Sequence, residues 1–265
     1  MAVMAYRRFK LVKPAVIVGT SGKGGTGKTT FLALSLKKFL EKENSILVID
    51  ADPAANMGET LGVRIEKTLG SAIDELRLEL HSEKVSPEIT KRELIEGRVH
   101  KVLFEAPKFD LLAMGALERK GCFCIINTLL TEIVDKLSSN YELVLMDMPA
   151  GLEHVTRRTS KAIDIMYILS DASKMALESA GRIVDLAKKV NITFKKTYLV
   201  GNRIENLDDI FKSYAENHRI VYAGSVPNDP EIQKYNLLGK SLLEIPESSS
   251  AYKAVAEIIG STCDL

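Results

Sequence analysis

Four glycines fall within the six residues from Gly22 to Gly27, in the string Ser21-Gly22-Lys23-Gly24-Gly25-Thr26-Gly27-Lys28-Thr29-Thr30. Glycine is the residue that accepts turns forbidden to other side chains, so a run this dense is a tight loop rather than part of a helix or strand. It is preceded by Val16–Thr20, a β-rich stretch, and followed by Thr29–Glu43, an amphipathic stretch of helical spacing. Strand, glycine loop, helix is a compact instruction: the strand needs cover on its faces, and the helix behind the loop provides some of it.

The same alternation continues along the chain. Further strands are expected at Ile46–Asp50, Phe109–Met114, Leu143–Asp147, Asp164–Ser170, Thr197–Gly201 and Ile220–Val226. Several are unbroken Val/Ile/Leu runs, the pattern of strands covered on both faces. Amphipathic helices are expected at Ile125–Ser138, Met175–Val190 and Leu207–Asn217. Such alternation calls for right-handed crossovers and an α/β fold, a mostly parallel sheet flanked by helices on both faces. Ligands in such sheets sit at the carboxyl ends of the strands. No repeat, low-complexity tract or Pro/Gly-rich linker divides the chain, so residues 1–265 read as a single domain. Glu66–Val102, charged and irregularly helical, reads as an insertion between the second and third strands.

Composition narrows the class. Apolar residues make up 46% and charged residues 27% of 265, with a formal net charge of +1. That is a globular, packed chain rather than a disordered one. A near-neutral balance gives no field to gather phosphates along a nucleic acid, so no nucleic-acid partner is expected. No apolar run approaches the roughly 18 residues of a spanning helix, and no membrane partner is expected. The N-terminal Met1–Lys13 stretch has charge but no apolar core of the secretory kind. Three cysteines in a chain this long make no disulfide framework, and the expected location is the reducing cytoplasm.

Gly22-x-x-x-x-Gly27-Lys28-Thr29 matches the phosphate-binding loop pattern in the strand–loop–helix setting it requires. Glycines let backbone N–H groups turn inward around phosphate oxygens, and the helix N-terminus adds its partial positive charge. Lys28 is a point charge for the β- and γ-phosphates, and the Thr29 hydroxyl suits Mg²⁺. The nucleotide-binding residues are therefore expected to be Gly22, Lys23, Gly24, Gly25, Thr26, Gly27, Lys28, Thr29 and Thr30.

Lys23-Gly24-Gly25-Thr26-Gly27-Lys28-Thr29-Thr30 further resembles the deviant Walker A box of the MinD/ParA/nitrogenase-iron-protein ATPases. The resemblance implies a P-loop NTPase fold of the deviant Walker A type and an ATP-dependent homodimer, in which Lys23 reaches the partner's bound phosphates. Asp50-Ala51-Asp52-Pro53 looks like the family's switch I. Asp52 would position or activate the attacking water, making Lys23, Lys28 and Asp52 the catalytic set, and Asp50 would lie near the magnesium shell. Leu143–Asp147 looks like Walker B, so Thr29 and Asp147 would hold Mg²⁺. Met148-Pro149-Ala150-Gly151 would be switch II. Asn202 matches the asparagine that reads adenine, and Val226-Pro227-Asn228-Asp229-Pro230 resembles the loop over the other side of the base, with Pro227 a contact. Asn202-Arg203-Ile204-Glu205 stands where a GTPase shows Asn-Lys-x-Asp, which keeps GTP as an alternative to ATP.

Cys122 and Cys124, one residue apart, offer two soft thiolate ligands. A buried free-cysteine pair is the plain alternative. Gly121-Cys122-Phe123-Cys124, with Ala150-Gly151-Leu152-Glu153-His154 and Arg157-Arg158-Thr159, resembles the carbon monoxide dehydrogenase accessory ATPases of the CooC type. That resemblance spans Val16 to about Ile259. It implies nickel or zinc at an inter-subunit Cys₄ site built from Cys122 and Cys124 of two chains. It also implies a client apo-metalloenzyme, carbon monoxide dehydrogenase or acetyl-CoA synthase. Cys263 has no cysteine partner nearby, and His81, His100 and His218 show no ligand spacing. Two other classes remain: a MinD- or ParA-like positioning ATPase, and an iron–sulfur carrier.

Overall fold

The computed structural model describes residues 15–42, 45–81, 90–116, 132–149, 162–189 and 192–263. The strands are β1 (Val16–Gly22), β2 (Ile46–Asp50), β3 (Phe104–Glu105), β4 (Phe109–Ala113), β5 (Leu143–Asp147), β6 (Ile163–Ser170), β7 (Phe194–Asn202) and β8 (Val221–Val226). They form one eight-stranded sheet in the order β3-β4-β2-β5-β1-β6-β7-β8. Every pairing is parallel except β3 with β4, a hairpin at one edge. Residues in β2 and β5 are buried at every position, which is why they read as continuous apolar runs rather than alternating ones.

The helices are α1 (Lys28–Phe39), α2 (Met57–Thr60), α3 (Leu69–His81), α4 (Lys91–Val102), α5 (residues 132–138), α6 (Lys174–Lys189), α7 (Asp208–Asn217), α8 (Pro230–Leu237) and α9 (Ser250–Thr262). Alternate strand residues feed two cores. Val18, Val48, Leu145, Tyr167 and Val200 face α1, α2 and α9. Ile17, Ile49, Val144, Met146, Ile168 and Leu199 face α3 to α7. The sheet is thus covered on both sides, as expected. Truncating a central residue such as Leu145, fully buried, would cost about 2–5 kcal/mol.

Several boundaries differ from expectation. The first helix ends at Phe39, not Glu43, with Lys37 and Lys38 in its last turn at the negative end of its dipole. The Glu66–Val102 stretch resolves into α3 and α4, which pack on each other and on the sheet. A capping box starts α4: Thr90 accepts from Glu93 N, and Glu93 accepts from Thr90 N. The hairpin strand β3 and helix α8 were not expected at all. Of the expected helix Ile125–Ser138, the described part is residues 132–138. Among the described residues no helix is long and apolar enough to cross a membrane.

Candidate functional site

Register builds the site before any side chain is considered. Thr20 pairs with Asp147 across β1 and β5, and Asp147 pairs with Asp50 across β5 and β2. Three polar residues therefore stand side by side where adjacent strands end, beneath the loop that leaves β1. Each is buried, at 0–1% exposure, so their polar atoms must be satisfied by one another or by a ligand.

The loop can take its path only with glycine at its two ends. A Cβ on Gly22 (φ 149°) would lie 2.3 Å from the Leu169 carbonyl oxygen. One on Gly27 (φ 86°) would lie 2.2 Å from Asn202 Nδ2. Gly27 is also the N-cap of α1 and offers no side-chain acceptor, leaving the first N–H groups of that helix facing the loop. Gly24 and Gly25 are exposed and Lys23 is half-buried.

Lys28, the first residue of α1, is 8% exposed. Among the described residues its Nζ meets one hydrogen-bond acceptor, the Lys23 carbonyl at 3.5 Å, and no ion pair. A buried ammonium so thinly neutralised suits an anionic ligand. Beside it, both oxygens of Asp147 accept hydroxyls: Oδ1 from Thr20 Oγ1 at 3.1 Å and Oδ2 from Thr29 Oγ1 at 2.6 Å. Burial pushes the Asp147 carboxyl up, while the Thr29 hydroxyl, the Lys28 charge and the Thr20 hydroxyl pull the other way. A carboxylate and a hydroxyl in contact, beside the glycine loop, are hard oxygen donors of the kind Mg²⁺ takes. The residues fit the group.

Asp50 does a different job. Its Oδ1 accepts from Asp52 N at 3.1 Å and its Oδ2 from Met57 N at 2.9 Å, so it holds the loop after β2 and starts α2. Burial is the main cause that raises its pKa to about 7, with Asp147 and Asp52 adding repulsion. Asp52 lies beyond it, half-buried, its Oδ1 accepting from Ala54 N at 3.0 Å in a local turn.

A cleft opens between the start of α1 and the loop after β8, lined by Thr30, Phe31, Asn202, Pro227, Ile232 and Gln233 among others. Asn202 and Pro227, expected on opposite sides of a base, both line it. Asn202 Nδ2 donates to the Thr26 carbonyl at 2.7 Å. Since that partner can only accept, the amide orientation is set, and Asn202 keeps its Oδ1 acceptor and one further N–H. The Asp229 carboxylate fixes the loop. It accepts from Glu231 N (2.9 Å), Ser249 Oγ (2.6 Å), Ser250 Oγ (3.1 Å) and Ala251 N (3.0 Å), joining the starts of α8 and α9. Burial opposes its charge, but these bonds outweigh burial and hold its pKa below the usual carboxylate value.

The structure thus brings together Gly22, Lys23, Gly24, Gly25, Thr26, Gly27, Lys28, Thr29, Thr30, Asp50, Asp52, Asp147, Asn202 and Pro227 along one edge of the sheet. Thr20 and Arg203 were missed as contributors. Thr20 is signalled only by its register opposite Asp147. Arg203 stands out in the sequence only as part of the Asn202-Arg203-Ile204-Glu205 string. Cys122 and Cys124, with Ala150, Gly151, Glu153, His154, Arg157 and Arg158, lie outside the described residues. Among the described residues no group of three or more His, Cys, Asp or Glu side chains could hold a metal ion.

A mostly parallel sheet of this order, with its glycine loop after β1 and a hydroxyl–carboxylate pair beside it, has the fold of the solved ParA-family and MinD structures. The sequence narrows this further: a family model described as an AAA domain matches residues 15–199, and the chain belongs to that family. An uncharacterised ATP-binding protein of Methanocaldococcus jannaschii is 40% identical over 92% of this chain and 96% of its own length. The carbon monoxide dehydrogenase accessory protein CooC of Rhodospirillum rubrum is 27% identical, covering 86% of this chain and 89% of its own. Among solved structures, the septum site-determining protein MinD complexed with Mg-ADP from Pyrococcus horikoshii OT3 superposes with a TM-score of 0.65. It is 20% identical, over 94% of this chain and 96% of that one.

Proposed function

We propose that the chain is a Mg²⁺-dependent, homodimeric ATPase that carries nickel to a client apo-metalloenzyme, a carbon monoxide dehydrogenase. The observation that carries the ATPase reading is the Asp147 carboxylate, held by Thr20 and Thr29 beside the buried Lys28. In this reading the loop amides and Lys28 take the phosphates, while Thr29 and Asp147 hold the magnesium ion. The ion supplies neutralisation of charge on the β- and γ-phosphate oxygens. Asp52, on the loop fixed by Asp50, orients the attacking water and draws its proton. Lys23 is supplied to the partner's site across the dimer. Asn202 Oδ1 can accept from the amino group of adenine, and the choice of ATP over GTP is supported by the likeness to ATP-binding relatives.

The nickel role is supported by the likeness to CooC along most of the chain and by the Cys122/Cys124 pair. Two chains related by a two-fold axis would bring four thiolates together, a set that soft metals take. A MinD-like role at a membrane would call for a free apolar helix face, and α9 has buried Ala251, Tyr252, Val255, Ile258 and Ile259 in the core. The deciding experiment is metal content after nickel loading and desalting, with ATP or ADP, for the wild type and the C122S/C124S double variant. About half a nickel per chain is expected, lost in the double variant, as a two-fold shared site requires. An iron–sulfur absorption near ~400 nm, or no bound nickel with ATPase activity intact, would overturn the nickel role.

A further inference from the structure

Arg203 follows Asn202 at the end of β7 and has a left-handed backbone, φ 57°, although it is neither glycine nor asparagine. Such a conformation is unfavourable for a long side chain and persists only where its surroundings hold it. Two contacts hold it. Its N–H donates to the Val226 carbonyl at 2.7 Å, fixing it to the last residue of β8. Its Nη2 donates to the Gly25 carbonyl in the phosphate loop. Its side chain also lines the cleft with Asn202 and Pro227. The neighbouring Asn202 holds the next carbonyl, that of Thr26. Two consecutive residues of β7's end thus grip two consecutive carbonyls of the loop. Holding the Thr26 carbonyl turns the other edge of that peptide, the Gly27 N–H, the opposite way, where a phosphate would sit, while the peptide held at the Gly25 carbonyl closes the turn through the Thr26 N–H onto Lys23.

We propose that Arg203 is a positioning residue: its guanidinium, with Asn202, clamps the Gly25–Thr26 segment of the phosphate loop in its anion-receptive shape. It thereby ties that loop to the β8 side of the base cleft. The role rests on the ATP-site reading given above. The cation matters as well as the donor, since a charged donor to a carbonyl is stronger than a neutral one. Arg203 is exposed, so replacing it removes the clamp and leaves the core intact.

The test uses the full chain with R203A, R203G and R203K. R203G relieves the left-handed backbone while removing the guanidinium, so it separates strain from clamp. Two quantities are read: Mg·ATP affinity by calorimetry, and hydrogen exchange of the Thr26 amide in nucleotide-free protein. That amide donates to the Lys23 carbonyl within the loop at 3.3 Å. The expected result is an affinity about tenfold weaker in both R203A and R203G, in line with loss of a charged hydrogen bond. Thr26 exchange should be several-fold faster in both, and R203K should recover a large part of each. Unchanged affinity and exchange would overturn the clamp, and so would weakened ATP binding with Thr26 exchange unaltered, which would make Arg203 a direct ligand contact. If the wild type bound no ATP while R203A still accelerated Thr26 exchange, the ATP reading would fail and the clamp would stand.

Discussion

Three aspartates share one edge of the sheet, and their surroundings give them separate tasks. Asp147 meets two hydroxyls, Asp50 meets two backbone amides, and Asp52 reaches out from a turn. Sequence placed all three at strand ends and gave Asp50 a place near the magnesium shell, but not its hold on the loop, because which carboxyl turns back to its own loop is decided by backbone geometry. The separation has a pH signature. With a native pKa of about 7 against an unfolded value near 3.8, Asp50 binds its proton more tightly in the folded chain. The folded state of the nucleotide-free protein is therefore not penalised below about pH 4. The penalty grows as pH rises to about 7 and is then constant. It amounts to roughly 4 kcal/mol from the usual conversion of pKa difference to free energy. D50N has no such titration, though it sacrifices one of the two amide bonds. The expected outcome is that D50N is less stable than wild type at pH 4, and that the deficit shrinks or reverses by pH 7.5. Urea unfolding of both proteins across that range measures it, and a deficit independent of pH would remove Asp50 from this role.

At the scale of elements, Asp229 shows how polar ties hold a loop over a cleft where packing is thin. Helix α8 buries no residue fully, with Ile232 and Tyr235 packing partly against the core, so its position leans on its cap and on the tie from Asp229 to α9. D229A would leave the N–H groups of Glu231 and Ala251 without their acceptor. The expected loss is about 2–4 kcal/mol by thermal or urea unfolding, from a lost cap plus an unsatisfied buried donor. A weaker apparent affinity for ATP should accompany it, since Val226–Asn228 would lose their anchor. Because the native Asp229 pKa lies below the ordinary one, this stabilisation is complete above about pH 4. It is lost as pH falls through the native value, so the wild type and D229A should converge in acid. The same helix explains what could be read beforehand and what could not. The strands of the sheet's interior were legible because burial on both faces forces unbroken apolar runs, as in Ile46–Ile49 and Leu143–Met146. The phosphate loop was legible because its glycines are sterically required. Helix α8 carries no buried stripe and therefore no periodicity, and β3 is a two-residue edge strand too short to show alternation. Helix α4 buries only Ile95, Val99 and Val102 along twelve residues, a stripe too thin to stand out from its charges.

For the molecule as a whole, the sheet order places every residue proposed to face the nucleotide on one rim and leaves Gly24 and Gly25 exposed there. Lys23 sits on the same rim with Asp171 and Arg203 close enough for their charges to act on one another: burial opposes ionisation of Asp171, yet bonds from Ser173 and the pull of Lys23 and Arg203 lower its pKa. A rim this open gives the phosphates solvent on one side. Hydrolysis in a water-filled site forfeits much of the electrostatic stabilisation that a closed one supplies. Closure by a second copy would remove that solvent and bring the partner's Lys23 to the phosphates, so a chain that cannot dimerise should not hydrolyse ATP. D52A, which would bind Mg·ATP without hydrolysing it, is expected to sediment as a dimer with ATP and as a monomer with ADP. K23A should still bind ATP, because its own Lys28 and loop amides remain. It should fall in turnover by about a hundredfold or more, by analogy with other cations supplied in trans to a phosphoryl group. Adding an equal amount of the hydrolysis-defective D52A chain to K23A distinguishes the two geometries. A lysine acting across the interface would restore activity in the mixed dimer, whose K23A subunit has an intact Asp52 and receives Lys23 from its partner. A lysine acting within its own subunit would restore nothing.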